Sequence, residues 1–167
     1  AALREAYAAG IRDFGENYLQ EARAKQVELT DLPLSWHFIG PIQSNKTREI
    51  AEHFSWVHSV DRLKIAQRLS EQRPADLEPL NICIQVNVSG EASKSGCTPQ
   101  DLPALAAAIN ALPRLKLRGL MAIPEPTENR GERDAACATV RDLQQSLDLG
   151  MDTLSMGMTG DYEVAIE

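Results

Sequence analysis

The stretch NICIQVNV, residues 81–88, decides the fold of this 167-residue chain. Its isoleucines and valines alternate with smaller or polar residues, which is the two-residue period of a β-strand. The pattern predicts one apolar face beneath helices and an opposite, more polar face that includes Asn87. Asn87 stands near the carboxyl end of this predicted strand, and we expect it to approach a functional site there.

The same strand-and-helix unit recurs along the chain. After residues 81–88 come apolar residues at helical spacing, from Leu102 to Ile109, and then a second strand-like stretch, KLRGLMAI, at residues 116–123. Each strand candidate is short, rich in β-branched, leucine or aromatic residues, and bounded by turn residues. The six candidates are Arg12–Gly15, Trp36–Gly40, Trp56–Val60, Asn81–Val88, Lys116–Ile123 and Thr153–Gly157.

Alternation of strands and helices makes neighbouring strands parallel, because each helix returns the chain to the starting side of the sheet. Two architectures fit, an open doubly wound sheet and a closed (β/α) barrel. The open sheet is disfavoured because no G-x-G-x-x-G follows the first strand. A barrel needs eight units in about 250 residues. We therefore predict an α/β chain whose residues 1–167 form one (β/α)8 TIM-type barrel domain, incomplete at both ends and lacking the first and last strands.

The composition narrows the functions to be considered. Lys and Arg number 17 against 24 Asp and Glu, which gives a formal charge of −7 and a pI near 5.0. No global positive field attracts nucleic acid or anionic lipid. No apolar run reaches the roughly 20 residues of a spanning helix, and no signal-peptide pattern opens the chain. We expect a cytoplasmic, monomeric protein without nucleic-acid or membrane partners.

The cysteine and histidine patterns predict neither a metal site nor a catalytic triad. The cysteines are Cys83, Cys97 and Cys137, and the histidines are His37, His53 and His58. The cysteines are widely spaced and form no C-x-x-C pair, as expected of free thiols in a reducing compartment. No carboxylate stands at metal-ligand or Ser-His-Asp spacing from the histidines, which we interpret as ordinary core or surface residues.

The loops that follow the strands carry most of the polar groups. The sharpest candidate is LSMGMTGD, residues 154–161, where a strand ends, two glycines allow close backbone approach and a helix begins. Free amide groups and the helix dipole favour an anion such as phosphate there, and the Ser155 and Thr159 hydroxyls can donate to it. A second candidate is FGENY, residues 14–18, in which Asn17 offers donors and an acceptor just past a strand end. Taken alone, each loop is also compatible with an ordinary strand-to-helix turn.

Five blocks of the sequence resemble the pyridoxal phosphate homeostasis protein family. They occur in the family's order and extend over nearly the whole chain. The blocks are FGENY at 14–18, WHFIGPIQSNK at 36–46, SKSG at 93–96, RGLMAIP at 118–124 and LSMGM at 154–158. The five blocks together are specific to the family, whereas any single block is not.

The resemblance implies a barrel like the N-terminal domain of alanine racemase, with pyridoxal 5′-phosphate (PLP) held as a Schiff base on a lysine. In the family pattern that lysine precedes Ala1, so no catalytic residue is assigned to this chain. Lys46 and Lys94 lie in polar loops and are expected to be solvated charges. The cofactor contacts implied by position are Asn17, Ser155, Met156, Gly157 and Thr159. A protein of only these residues is expected to bind PLP poorly and to aggregate.

Three functions remain to be compared. The resemblance favours a protein that binds and carries PLP, buffers its supply and serves PLP-dependent apo-enzymes, without an assigned turnover. A PLP-dependent amino-acid racemase is the second function, and it would need a base opposite the lysine, commonly a tyrosine from another domain or subunit. A barrel enzyme for an unrelated phosphorylated metabolite is the third. We predict the first.

Overall fold

A computed structural model describes residues 2–91 and 94–167, so Ser93 of the SKSG block lies outside the described residues. Within these ranges, parallel strands alternate with helices, as the sequence predicts. The strands are β1 (Asp13–Glu16), β2 (Ser35–Phe38), β3 (Trp56–Val60), β4 (Leu80–Gln85), β5 (Leu115–Met121) and β6 (Thr153–Ser155). The helices are α1 (Ala2–Ala8), α2 (Leu19–Glu28), α3 (Thr47–His53), α4 (Leu63–Gln72), α5 (Leu102–Asn110), α6 (Arg130–Leu147) and α7 (Tyr162–Ile166). None of these described helices is long and apolar enough to cross a membrane.

Each strand pairs with the next one in the chain. The order is β1-β2-β3-β4-β5-β6, and every pairing is parallel. A doubly wound sheet would reverse its strand order at a switch point, and no reversal occurs between β1 and β6. Sequential parallel pairing is instead the order found in (β/α) barrels. The prediction of a barrel-type sheet is therefore confirmed for the strands that this chain contains.

The sheet is curved into a half-barrel. His58 lies on β3 and Ser155 on β6, with β4 and β5 between them, yet His58 Nδ1 and Ser155 Oγ are 2.6 Å apart. In a flat sheet, three strand spacings would separate these positions by about 14 Å. The contact therefore spans the concave face of a strongly curved sheet. We call the space on that concave face the lumen.

The convex face carries the apolar core. Ile82 and Ile84 of β4 are fully buried there, against helix residues such as Leu69 of α4. The alternate residues of β4 face the lumen, where Asn81 Oδ1 accepts a hydrogen bond from Arg118. The predicted alternation of an apolar and a more polar face in this strand is confirmed.

The central strands end earlier than the sequence predicts. β4 ends at Gln85 rather than Val88, and β5 ends at Met121 rather than Ile123. After β4 the chain folds back on itself, because the Cys97 amide donates to Gln85 O and the Asn87 amide donates to Cys97 O, both at 2.9 Å. The last residues of the predicted strands therefore belong to loops at the carboxyl rim of the half-barrel.

Candidate functional site

A chain of hydrogen bonds crosses the lumen. At one end, Asp13 Oδ1 lies 3.0 Å from His37 Nε2, and His37 Nδ1 lies 2.9 Å from His58 Nε2. At the other end, His58 Nδ1 lies 2.6 Å from Ser155 Oγ. The four residues come from β1, β2, β3 and β6, so only the curvature of the sheet brings them together. We call Asp13, His37, His58 and Ser155 the lumen chain.

The interpretation of His37 and His58 as ordinary core or surface residues misses this arrangement. His37 is 24 positions from Asp13, and His58 is 97 positions from Ser155, so short-range spacing does not reveal their partners. The two-residue alternation of the strands could have revealed this arrangement. His37 and His58 lie on neighbouring strands, at positions whose side chains face the same side of the sheet as Ser155. Within residues 2–91 and 94–167, no group of three or more His, Cys, Asp or Glu side chains is placed to hold a metal ion.

Burial sets the protonation state of His58. Removal of its imidazole from water, together with the nearby His37, lowers the pKa of His58 to about 4, so the ring is neutral at pH 7. A neutral imidazole beside a serine resembles the base and nucleophile of a hydrolase. A base with a pKa near 4 is nevertheless poorly matched to proton abstraction at neutral pH. The pair is therefore better suited to orienting the Ser155 hydroxyl than to activating it.

Aromatic and charged side chains form the floor of the lumen. Trp56 stacks on His37 with ring centroids 5.2 Å apart and planes 8° apart, and the Arg118 guanidinium lies 4.5 Å from the centre of the Trp56 ring. Arg118 donates to both carboxylate oxygens of Asp152 at 2.9 Å and to Asn81 Oδ1 at 3.0 Å. The hydrogen bonds from Arg118 lower the pKa of Asp152 to about 2. Through the stacking contact of Trp56, this network holds the His37 ring of the lumen chain in place.

A cavity of about 510 Å³ opens at the carboxyl rim of the strands. Its walls include Gln85 and Asn87 after β4, Ile123 after β5 and Met158 after β6. Asn87 thus lies at this rim, as the alternation in its strand predicts, and its Nδ2 donates to the carbonyl of Glu91 at 2.7 Å. The cavity, which we call the lumen mouth, combines apolar walls with a few polar groups, as small-molecule sites do.

Two lysines are held by carboxylates. Lys94 Nζ, at the lumen mouth, lies 2.7 Å from Glu125 Oε1, and Lys25 Nζ lies 2.7 Å from Glu16 Oε1. Lys94 is therefore not the freely solvated charge that its polar loop suggests. Neither lysine is assigned a catalytic role.

The end of β6 and the loop that joins it to α7 contain four of the predicted site residues. Ser155 faces the lumen, whereas the side chain of Met156 packs against the apolar core on the side of α6 and α7. Gly157 has a φ of +97°, and an added Cβ would lie 3.1 Å from Ala165 Cβ, so this position favours glycine. The Met158 amide donates to Asp161 Oδ1. The end of β6 thus presents the Ser155 hydroxyl to the lumen.

Thr159 lies beside an arginine that the sequence analysis does not single out. Arg133 of α6 lines the same cavity of about 340 Å³ as Thr159, and its Nη1 donates to Gly160 O at 3.0 Å. The Arg133 Nε atom is buried and has no hydrogen-bond partner in the described part of the chain. A buried unpaired donor is costly, so a nearby acceptor would stabilise this N–H.

Asn17, the fifth predicted site residue, is separated from the other four. It follows β1, whereas Ser155 ends β6, and these are the two edge strands of the sheet. The Asn17 backbone packs closely on Gly40, where an added Cβ would lie 2.1 Å from Asn17 O. The residue is exposed. The structure therefore brings Ser155, Gly157 and Thr159 together in one loop and leaves Asn17 at the opposite edge of the half-barrel.

Known proteins resemble this chain along nearly its whole length. The family model described as alanine racemase, N-terminal domain, matches residues 1–166. The pyridoxal phosphate homeostasis protein of Pseudomonas aeruginosa is 75% identical over 166 residues, which cover 99% of this chain and 72% of that protein. The protein of the same name from Vibrio cholerae is 56% identical over 173 residues, covering 99% of this chain and 73% of that protein. Among solved structures, PipY of Synechococcus elongatus with PLP bound has a TM-score of 0.91 and 42% identity, covering 99% of this chain and 79% of PipY.

Proposed function

Since this chain belongs to the alanine racemase N-terminal domain family and, within it, to the pyridoxal phosphate homeostasis proteins, we propose that it binds PLP and helps to maintain the intracellular supply of that cofactor and the balance of amino acids that depends on it. The observation that carries this proposal is the likeness to PipY, whose structure was solved with PLP bound. The five sequence blocks point to the same function.

The lumen mouth fits a molecule with the size and chemistry of PLP. Small-molecule sites commonly enclose about 300–1,000 Å³, and the lumen mouth encloses about 510 Å³. Ile123 and Met158 offer apolar contacts to a pyridine ring. In the separate cavity of about 340 Å³, Thr159 and the charged donor of Arg133 suit a phosphate group. The residues that would hold the cofactor are Asn17, Ser155, Met156, Gly157 and Thr159, with Arg133 beside them.

These residues would have distinct tasks. Thr159 and Arg133 would donate hydrogen bonds to the phosphate, and Gly157 lets the backbone turn without a side chain in the way. Met156 contributes through its backbone, because its side chain packs into the core. When bound, PLP supplies an aldehyde that reacts with amines. The lysine that the family resemblance places ahead of Ala1 lies outside this sequence, so no residue here is given that reaction.

In the cell, we propose a cytoplasmic monomer that carries PLP to apo-enzymes. The formal charge of −7 supports a protein without general attraction to nucleic acid or anionic lipid surfaces. Carrying rather than turnover is supported by His58, because its strongly lowered pKa is poorly matched to proton transfer at pH 7. Size-exclusion chromatography with and without PLP tests whether the chain is monomeric.

The binding proposal is tested by titrating the chain with PLP and following the ³¹P NMR signal of its phosphate. We expect weak but saturable binding to a single site, which Thr159→Ala weakens several-fold further because a phosphate donor is lost. Thr139→Ala is the matched control, since the Thr139 hydroxyl bonds only to Ala135 O on the exposed side of α6. A chain that is folded by circular dichroism and shows no saturable binding would overturn the proposal.

The alternative functions give different results in companion assays. A racemase would form D-alanine from L-alanine in the presence of PLP, in proportion to the amount of protein, and we expect none. In a barrel enzyme for an unrelated phosphorylated metabolite, inorganic phosphate at an equal concentration would displace PLP from the site. We expect PLP to bind at least tenfold more tightly than inorganic phosphate, because the pyridine ring also contacts the lumen mouth.

A further inference from the structure

The lumen chain permits one arrangement of hydrogens when both of its imidazoles are neutral. The Asp13 carboxylate only accepts hydrogen bonds, so His37 Nε2 carries the hydrogen of the 3.0 Å contact between them. Ser35 Oγ, 3.4 Å from the same nitrogen, is compatible with this assignment. His37 Nδ1 is then an acceptor, and the hydrogen of the 2.9 Å contact belongs to His58 Nε2.

The same reasoning fixes the hydroxyl of Ser155. With its hydrogen on Nε2, a neutral His58 offers a lone pair at Nδ1, 2.6 Å from Ser155 Oγ. The Ser155 hydroxyl therefore donates to His58. Burial keeps His58 neutral, because it lowers the pKa of the imidazole to about 4. Toward a ligand in the lumen, Ser155 then offers oxygen lone pairs and no hydrogen.

Building on the proposed PLP site, we propose that His58, oriented by His37 and Asp13, is a positioning residue that makes Ser155 a hydrogen-bond acceptor toward the bound cofactor. The oxygens of a phosphate dianion are acceptors, so Ser155 has no hydrogen to share with them. The phosphate is directed instead to the donors of Thr159 and Arg133. Ser155 is left for a ligand group that carries a hydrogen. This proposal differs from the sequence-based expectation that the Ser155 hydroxyl donates to phosphate.

The first measurement concerns the chain without PLP. Two-dimensional ¹H–¹⁵N NMR of the histidine rings at pH 7 distinguishes the two neutral tautomers. We expect both His37 and His58 to carry their hydrogen on Nε2. In Asp13→Asn, the new amide can donate to His37 Nε2, so we expect the Nδ1–H tautomer of His37 to become populated. The side chain of Asp13 is 67% exposed, so this substitution should leave the fold intact.

The second measurement is the PLP titration followed by ³¹P NMR. Reversal of the lumen chain in Asp13→Asn frees the Ser155 hydrogen to donate, so we expect PLP to bind about threefold or more tightly than in the unsubstituted chain. The gain should vanish in the double variant Asp13→Asn/Ser155→Ala. Asp76→Asn, which removes an exposed carboxylate between α4 and β4, is the matched control and should not change the affinity.

The outcomes separate this inference from the proposed function. A His37 or His58 ring with its hydrogen on Nδ1 in the unsubstituted chain would overturn the hydrogen-bond order while PLP still binds. A gain in affinity that survives Ser155→Ala would overturn the role of Ser155. Failure of every variant to bind PLP, with the expected tautomers present, would overturn the proposed function and the ligand role of Ser155 together.

Discussion

On the convex face of the sheet, Ile82 and Ile84 pack against helices through contacts that depend on volume and not on direction. On the concave face, the neighbouring strands present His37, His58 and Arg118, whose hydrogen-bond partners are specific atoms. The two faces of the same six strands therefore have different roles. Apolar packing on the convex face determines that a half-barrel forms, and hydrogen bonds on the concave face determine which polar groups meet within it.

The largest expected effect is at Gly119, where a substitution would disturb the sheet itself and therefore both of its faces. A Cβ at this position would lie 1.6 Å from the carbonyl oxygen of Thr153, so alanine would force β5 and β6 apart. We expect Gly119→Ala to reduce the free energy of unfolding by about 4 kcal/mol or more, measured by urea denaturation. Gly160→Ala is the control, because its added methyl meets open space. A loss below about 1 kcal/mol in Gly119→Ala would show that β5 and β6 are not packed this closely.

The next effect compares adjacent residues of β4 that face opposite sides. Ile84 is fully buried in the convex core, and Cys83 is fully buried but lies outside that core cluster. We expect Ile84→Ala to lower the free energy of unfolding by about 4 kcal/mol, through lost burial and a cavity. Cys83→Ala removes one sulfur atom and should cost about 1 kcal/mol. Equal losses in the two variants would contradict the division of the sheet into an apolar and a polar face.

The convex face could be predicted from the sequence because its signal is local. The alternation in residues 81–88 and the helical spacing between Leu102 and Ile109 both arise within single elements. The parallel order of the strands followed from the same repeated pattern. The pattern places the end of β4 too late, because the backbone after Gln85 bonds to Cys97 instead of continuing in the sheet.

The concave face could be predicted only in part because its contacts join distant positions. Ser155 and Gly157 were identified from a loop motif, and Asn87 from its place in the alternation. The link from Ser155 to His58 depends on the curvature of the sheet, which no short motif encodes. Arg133 was missed for a similar reason, since it reaches Gly160 from another element. The outward packing of Met156 likewise depends on where α6 and α7 lie.

The smallest expected effect is a loss of stability at acid pH, which arises from His58 on the concave face. Burial and the nearby His37 lower the pKa of His58 from 6.5 to about 4 in the folded protein. Between these values the unfolded chain binds a proton at His58 that the folded chain does not bind, so stability is fully present above pH 6.5 and falls as the pH drops toward 4. The loss attributable to this residue is at most roughly 3 kcal/mol.

Urea denaturation at several pH values between 7.5 and 4.5 measures this contribution. We expect His58→Asn, whose amide oxygen can still accept from Ser155, to lose less stability than the unsubstituted chain as the pH falls. His53→Gln is the control at the end of α3, where burial and Arg23 also lower the pKa but without a large shift, so it should keep most of the acid dependence. If His58→Asn and the unsubstituted chain lose stability equally, the pKa of His58 is the same in the folded and unfolded chains. The lumen chain would then gain a positive charge as the pH falls below 6.5, and the concave face would differ from the convex face in electrostatics as well as in hydrogen bonding.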